Sequence, residues 1–319
     1  MLEAIIRWLI YDILHFSAES RLAGIAGFFL YDVIKILLLL SVMITVIGFL
    51  RTFISPAKLK AWLSGSKILG NIGASIFGAV TPFCSCSSIP IFLSFMKTGM
   101  PLGIAFSFLI TSPIINEYLV VLMLGFFGVK ITAAYVLSGI AIGVISGAVL
   151  GKMGLEKYLI RDMVSARLDL MTDLRFDSLK ERFLFGLSEA KFIVKKIWPW
   201  VLAGVGVGAL IHNYIPKDIV QNIAAKAGAF SVPIAVLIGV PMYGSCAAIV
   251  PIAVVLFQKG FPLGTALAFM MAVSALSLPE AIMLRRAMKL RLIAIFFGIT
   301  ACAIILTGYL FNLLQQILV

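Results

Sequence analysis

Charge is scarce in this chain. Asp, Glu, Lys and Arg make up 13% of its 319 residues against 62% hydrophobic residues, with a mean hydropathy of +1.12. That leaves too little polar surface to cover a water-soluble globule, so the chain reads as an all-α polytopic integral membrane protein. Histidine is nearly absent, and His15 and His212, far apart in the chain, read as lone interfacial residues and not as ligands. Cysteine is also rare: Cys84, Cys86, Cys246 and Cys302 all fall in apolar segments, the wrong setting for a secreted disulfide framework. No phosphate loop, dinucleotide fingerprint or Ser-His-Asp pattern is present, so no catalytic residues, cofactor or resident metal are expected. Acidic residues number 14 against 26 basic ones, a net charge of +12. On apolar runs of spanning length this places Lys and Arg at membrane flanks and argues against nucleic acid as a partner.

Long apolar runs are what the chain does have. Glu3, Arg7, Asp12 and His15 interrupt the first of them too early for a secretory signal. Residues 1–16 therefore read as an amphipathic helix at the interface, with Ile5, Trp8, Leu9 and Ile13 on one face, or else as a short additional span. The runs divide the chain into an interfacial segment 1–30, a first membrane unit 31–151, a charged cytoplasmic linker 152–189 and a second membrane unit 190–319. Each unit holds four apolar elements: 33–53, 70–96, 101–127 and 131–150, then 193–211, 230–257, 262–284 and 293–313. The second element of each is broken, by Pro82, Cys84, Cys86 and Pro90 in one and by Gly244, Ser245 and Pro251 in the other.

The units resemble each other residue by residue. Gly99-Met100-Pro101-Leu102-Gly103 answers Gly260-Phe261-Pro262-Leu263-Gly264, Ser85-Cys86 with Pro90 answers Ser245-Cys246 with Pro251, and Asn116-Glu117 answers Pro279-Glu280. Two related halves joined by a linker are a common transporter plan. If all eight elements span, only 15 of the 26 cations share the linker's side. If the two broken elements re-enter as hairpins, that side collects Arg51, Lys58, Lys60, Lys67, Lys97, the ten cations from Lys152 to Lys196, Arg285, Arg286, Lys289 and Arg291, which is 19 of 26. The positive-inside bias favours the hairpins, which leave three crossings per half and so make the halves inverted repeats.

Chemistry concentrates at Thr81-Pro82-Phe83-Cys84-Ser85-Cys86-Ser87-Ser88-Ile89-Pro90. Each proline removes a backbone donor and disfavours a continuous helix, and broken backbone at membrane depth is tolerated only against protein or a water-filled cavity. Cys84 and Cys86 form a thiol pair suited to soft acceptors such as Cu(I), Zn(II) or trivalent arsenic. They also fit as small buried hydrophobes. Cys246 is the sulfur of the other half, while Cys302 reads as packing. Thr81, Ser85 and Ser87 flank the pair, and Ser112 and Asn116 belong to the interruption that faces it. Glu117 and Glu280, carboxylates inside apolar runs, suit proton coupling or, alternatively, a helix-holding role near a helix end.

At Thr-Pro-Phe-Cys-Ser-Cys-Ser-Ser-Ile-Pro, Gly-Met-Pro-Leu-Gly and Thr-Ser-Pro-Ile-Ile-Asn-Glu the chain resembles the predicted-permease family that includes the ArsP-type organoarsenical efflux permeases. The resemblance covers residues 33–313 and implies an eight-segment permease of the inner membrane. It further implies that Cys84, Cys86 and Cys246 contact a trivalent arsenical in relatives that export one. The expected function is a secondary efflux transporter of a soft or thiol-reactive solute. The competing readings are a membrane dithiol redox carrier and a passive channel for small sulfur species or metal ions.

Overall fold

The computed structural model describes residues 21–52, 67–81, 85–97, 99–160, 178–214, 228–242, 246–258, 260–285 and 287–318. The interfacial segment 1–16, Lys58, Lys60, Pro82, Cys84, Gly244, Ser245 and the middle of the linker lie outside them. Helices account for nearly all of the described residues: α1 (Arg21–Arg51), α2 (Lys67–Val80), α3 (Ser85–Lys97), α4 (Leu102–Ile114), α5 (Glu117–Lys152), α6 (Leu179–Tyr214), α7 (Ser231–Gly239), α8 (Cys246–Gln258), α9 (Leu263–Ala275), α10 (Leu278–Leu284) and α11 (Leu290–Leu318). Among the described residues three stretches, Glu117–Lys152, Leu263–Leu284 and Leu290–Ile317, are long and apolar enough to cross a membrane.

The contacts fix helix directions. Asn71 of α2 meets Ser107 of α4, and Gly78 of α2 lies against the backbone of Phe108 and Ser112, so α2 and α4 run the same way. In α3, Ser88 bonds Ser112 while Phe92 packs on Phe106 and Phe95 on Phe108, so α3 runs back against α4. Consequently α2 and α3 form an antiparallel pair. With 14 and 13 residues, each arm is about 20 Å long, too short for a hydrocarbon core of roughly 30 Å. The C-terminal end of α2 and the N-terminal end of α3 both lie beside the C-terminal end of α4.

Helix α4 ends at Ile114. Ile115 and Asn116 are extended (φ −113°, ψ 102° and φ −120°, ψ 141°), and the chain resumes as α5 at Glu117. Pro113 sits inside α4 and the break falls two residues later, because the preceding turn still closes through Ile115 N–H donating to the Thr111 carbonyl (2.9 Å). Helix α5 reverses at Gly128 (φ 77°, ψ 178°), a left-handed backbone that disfavours any side chain. Its second arm then returns along α4: the Tyr135 hydroxyl donates to the Ile114 carbonyl (3.0 Å), Gly139 packs on Ile114 and Ile115, and Gly147 and Gly151 pack on Gly103.

The second half repeats these local arrangements 161 positions later. Gly99 and Gly260 have φ of 71° and 90°, and Pro101 and Pro262 precede their helices at φ −53°, ψ 133° and φ −55°, ψ 140°. Gly78 against Phe108 and Ser112 is matched by Gly239 against Phe269 and Val273, and Gly103 against Gly147 by Gly264 against Gly308. In this register Asn116 matches Ser277, the residue before α10, so Glu117 and Glu280 are not counterparts as their dipeptides suggested: Glu117 opens its helix and Glu280 lies two residues further in. Likewise α3 and α8, with Pro90 and Pro251 in register, set Cys246 opposite Ser85 and not opposite Cys86.

Helices α1 and α6 pack antiparallel, with Gly186 pressed onto the Thr45 backbone and Gly206 on Phe29. Helix α6 begins within the stretch read as linker, so residues 179–189 are already helical and continue into the apolar run. Arg182 donates to the Thr52 carbonyl (2.8 Å), joining the start of α6 to the end of α1. Where the chain leaves α5, Ile160 N–H donates to the Ala287 carbonyl (3.0 Å) and Lys289 N–H to the Tyr158 carbonyl (2.9 Å). Phe127 at the Gly128 turn packs on Phe257 at the end of α8, ring centroids 6.0 Å apart.

Candidate substrate site at the helix breaks

In each half a helix that ends at a break is bonded to a neighbouring arm. In the first, Thr81 follows α2, its hydroxyl donating to the Phe77 carbonyl (2.6 Å), a helical back-bond. Cys84 lies outside the described residues. Ser85, Cys86 and Ser87 form the first turn of α3, although their side chains are likewise outside the described set. Ser88, one residue on, is fully buried and shares a 2.8 Å hydrogen bond with Ser112. This bond ties the start of α3 to the last turn of α4. Because both hydroxyls are buried, Ser112→Ala should cost about 1–2 kcal/mol, measurable as a lowered midpoint in thermal unfolding of detergent-solubilised protein; an unchanged midpoint would show that the hydrogen bond does not hold the tip.

Asn116 accepts from the Tyr118 N–H (2.9 Å) through Oδ1 and so caps α5. Glu117, next in line, is exposed in the first turn, where the positive end of the helix favours a carboxylate.

In the second half Cys246 opens α8, its side chain outside the described set. Here the tip of the α7 arm is tied to the α9–α10 break by the backbone: Leu278 N–H donates to the Val240 carbonyl (3.0 Å). Glu280 is fully buried in α10, which packs against α6 and α3. The structure thus separates two carboxylates that look alike in the sequence. Glu117 belongs to an exposed helix start, whereas Glu280 lies in the protein interior. Among the described residues no group of three or more His, Cys, Asp or Glu side chains is placed to hold a metal ion.

A polar cluster that the sequence reading missed lies between α2, α4 and α5. Ser107 donates to Asn71 Oδ1 (3.2 Å) and Thr111 donates to the Ser107 carbonyl (2.8 Å), all three buried. Ser75 is fully buried beside them, and its hydroxyl makes no hydrogen bond among the described residues. A lone Ser or Asn in an apolar helix carries no spacing signature, and Asn71 and Ser107 come from helices 36 positions apart.

Helices of this length and apolarity, with paired interruptions buried in the bundle, define a multi-pass integral membrane protein of the permease class. The chain belongs to the ArsP_1 family of predicted permeases, whose family model matches residues 21–313. It is 24% identical over 177 residues to a protein of Streptococcus mutans serotype c described as a subunit of a two-component membrane permease complex, a match covering 55% of this chain and 58% of that protein. It is 21% identical over 280 residues to the UPF0718 protein YcgR of Bacillus subtilis, covering 87% and 93% of the two chains. The UPF0718 protein MJ0584 of Methanocaldococcus jannaschii is also 21% identical, over 299 residues, covering 76% and 82%. No solved structure matches the chain.

Proposed function

We propose that this protein is a secondary efflux transporter of the cytoplasmic membrane for a soft or thiol-reactive solute, such as a trivalent organoarsenical. In this reading the chain is two inverted repeats of four segments, the second segment of each being a re-entrant hairpin, and the solute binds where the hairpin tips meet the broken helices. The observation that supports it is the Ser88–Ser112 bond, which joins the start of α3 to the last turn of α4, just before the chain breaks. Discontinuous helices near the midplane suit such a site because their ends offer backbone groups that no helix satisfies. Cys84 and Cys86 supply soft donors, Cys246 approaches from the second tip, and Thr81, Ser85, Ser87, Ser112 and Asn116 build the surround. Glu280 is the better placed of the two acids to take up and release a proton during the cycle, because it is enclosed where α10 packs against α6 and α3, whereas Glu117 is exposed.

The test is uptake of a trivalent aryl arsenical into everted vesicles under an imposed proton gradient. Wild type should accumulate it, Cys84→Ser/Cys86→Ser should lose accumulation at least tenfold, and Glu280→Gln should lose the gradient dependence. Absence of uptake by well-folded wild type would withdraw the solute assignment.

A further inference from the structure

The second half of the chain serves as an internal control on the first. At the register that superimposes Gly78 on Gly239 and Gly147 on Gly308, Asn71, Ser75, Ser107 and Thr111 stand where the second half has Val232, Val236, Ala268 and Ala272. All eight are buried. The same helix packing is therefore achieved without any of these polar groups, and burying them costs folding free energy unless something bonds them. Gly143 adds to the contrast, since its counterpart is the fully buried Ile304. A Cβ on Gly143 would overlap Thr111 Oγ1 and would lie 2.9 Å from Ser75 Oγ and 3.1 Å from the Ser107 carbonyl oxygen. Three oxygens thus crowd, and one of them occupies, the position that a side chain holds in the other half.

We propose that Asn71, Ser75, Ser107 and Thr111 hold a monovalent cation the size of Na+ between α2, α4 and α5, an inference that rests on the pairing of the two halves described above. The donor set selects the ligand. Ser107 and Thr111 already direct their hydroxyl hydrogens at Asn71 Oδ1 and the Ser107 carbonyl, so what they present outward is lone pairs. Ser75 Oγ, with no hydrogen-bond partner among the described residues, completes a ring of hard neutral oxygens. Such a ring suits a small hard cation and not a soft metal, and without a carboxylate it cannot offset the dehydration of a divalent ion. Helices α2 and α4 run parallel, so the negative ends of both dipoles lie toward the same side of the site.

The experiment reads binding on the purified full-length protein with no solute present. Its thermal midpoint is followed in NaCl, KCl and choline chloride at constant ionic strength. The midpoint should rise by about 4 °C as the site saturates with Na+, with less response to K+ and none to choline. The five-fold substitution Asn71→Val, Ser75→Val, Ser107→Ala, Thr111→Ala and Gly143→Ile, which copies the second half, should fold and lose the Na+ response. If that variant fails to fold, Ser75→Ala/Thr111→Val reads the same loss. Equal midpoints in all three salts, or a Na+ response that survives these substitutions, would overturn the proposal. Failure of arsenical uptake would leave the Na+ response standing, and the converse also holds.

Discussion

In a background without native cysteines, a cysteine at position 259 should react with a membrane-impermeant maleimide from outside intact cells, and one at 97 only after permeabilisation. The result is all-or-none, and it separates the two topologies. Eight full spans place 97 and 259 on one face, whereas hairpins entering from opposite faces place them on different ones. The contacts at the ends of the bundle favour the second arrangement. With eight spans, Thr52 and the turn 285–289 would lie across the membrane from the linker. Yet Arg182 bonds Thr52, and residues 158–160 exchange backbone hydrogen bonds with Ala287 and Lys289. The ring contact of Phe127 with Phe257 similarly places the Gly128 turn beside the C-terminal end of α8. Gathering Arg285, Lys289 and Arg291 with the linker cations is also what the positive-inside rule requires of a cytoplasmic face. Labelling of both positions from the same side would discard the hairpins and the inverted repeat with them.

The largest loss of stability is expected from Gly147→Leu and Gly308→Leu. Helices in a membrane gain no hydrophobic driving force from one another, so their association rests on close packing, and small residues permit it. A Cβ on Gly147 would overlap Ser107 Oγ and lie 2.7 Å from the Gly103 carbonyl oxygen; on Gly308 it would lie 2.6 Å from Val232 Cγ1 and 2.9 Å from Ala268 Cβ. Backbone cannot yield as a flexible side chain can. Each substitution should therefore force the α4–α5 or α9–α11 pair apart at a cost of about 3 kcal/mol or more, seen as collapsed yield of monodisperse protein. Gly125→Leu and Gly298→Leu supply the control, since nothing lies within 4 Å of either Cβ position. Wild-type yield and thermal midpoint for Gly147→Leu would show that α5 does not pack on α4 as described.

Composition and hydropathy alone establish a multi-pass helical membrane protein, because hydrocarbon tolerates only backbone that satisfies itself, and long apolar runs are then helices. The paired Gly-x-Pro-Leu-Gly blocks were equally legible: a left-handed glycine followed by a helix-starting proline is a local instruction, and Gly99 with Pro101 and Gly260 with Pro262 obey it in the same way. Where the chain breaks was less legible. Pro113 is absorbed into α4 because a proline removes only its own N–H bond, and Ile115 N–H still closes the last turn on the Thr111 carbonyl.

The fates of the two glutamates depended on packing alone. Glu117 and Glu280 have similar apolar flanks, but one begins a helix at the surface of its half and the other is enclosed where α10 packs against α6 and α3. The cluster of Asn71, Ser75, Ser107 and Thr111 had the same character, since burial and proximity come from elements distant in the chain. No spacing rule records which faces of three helices will meet.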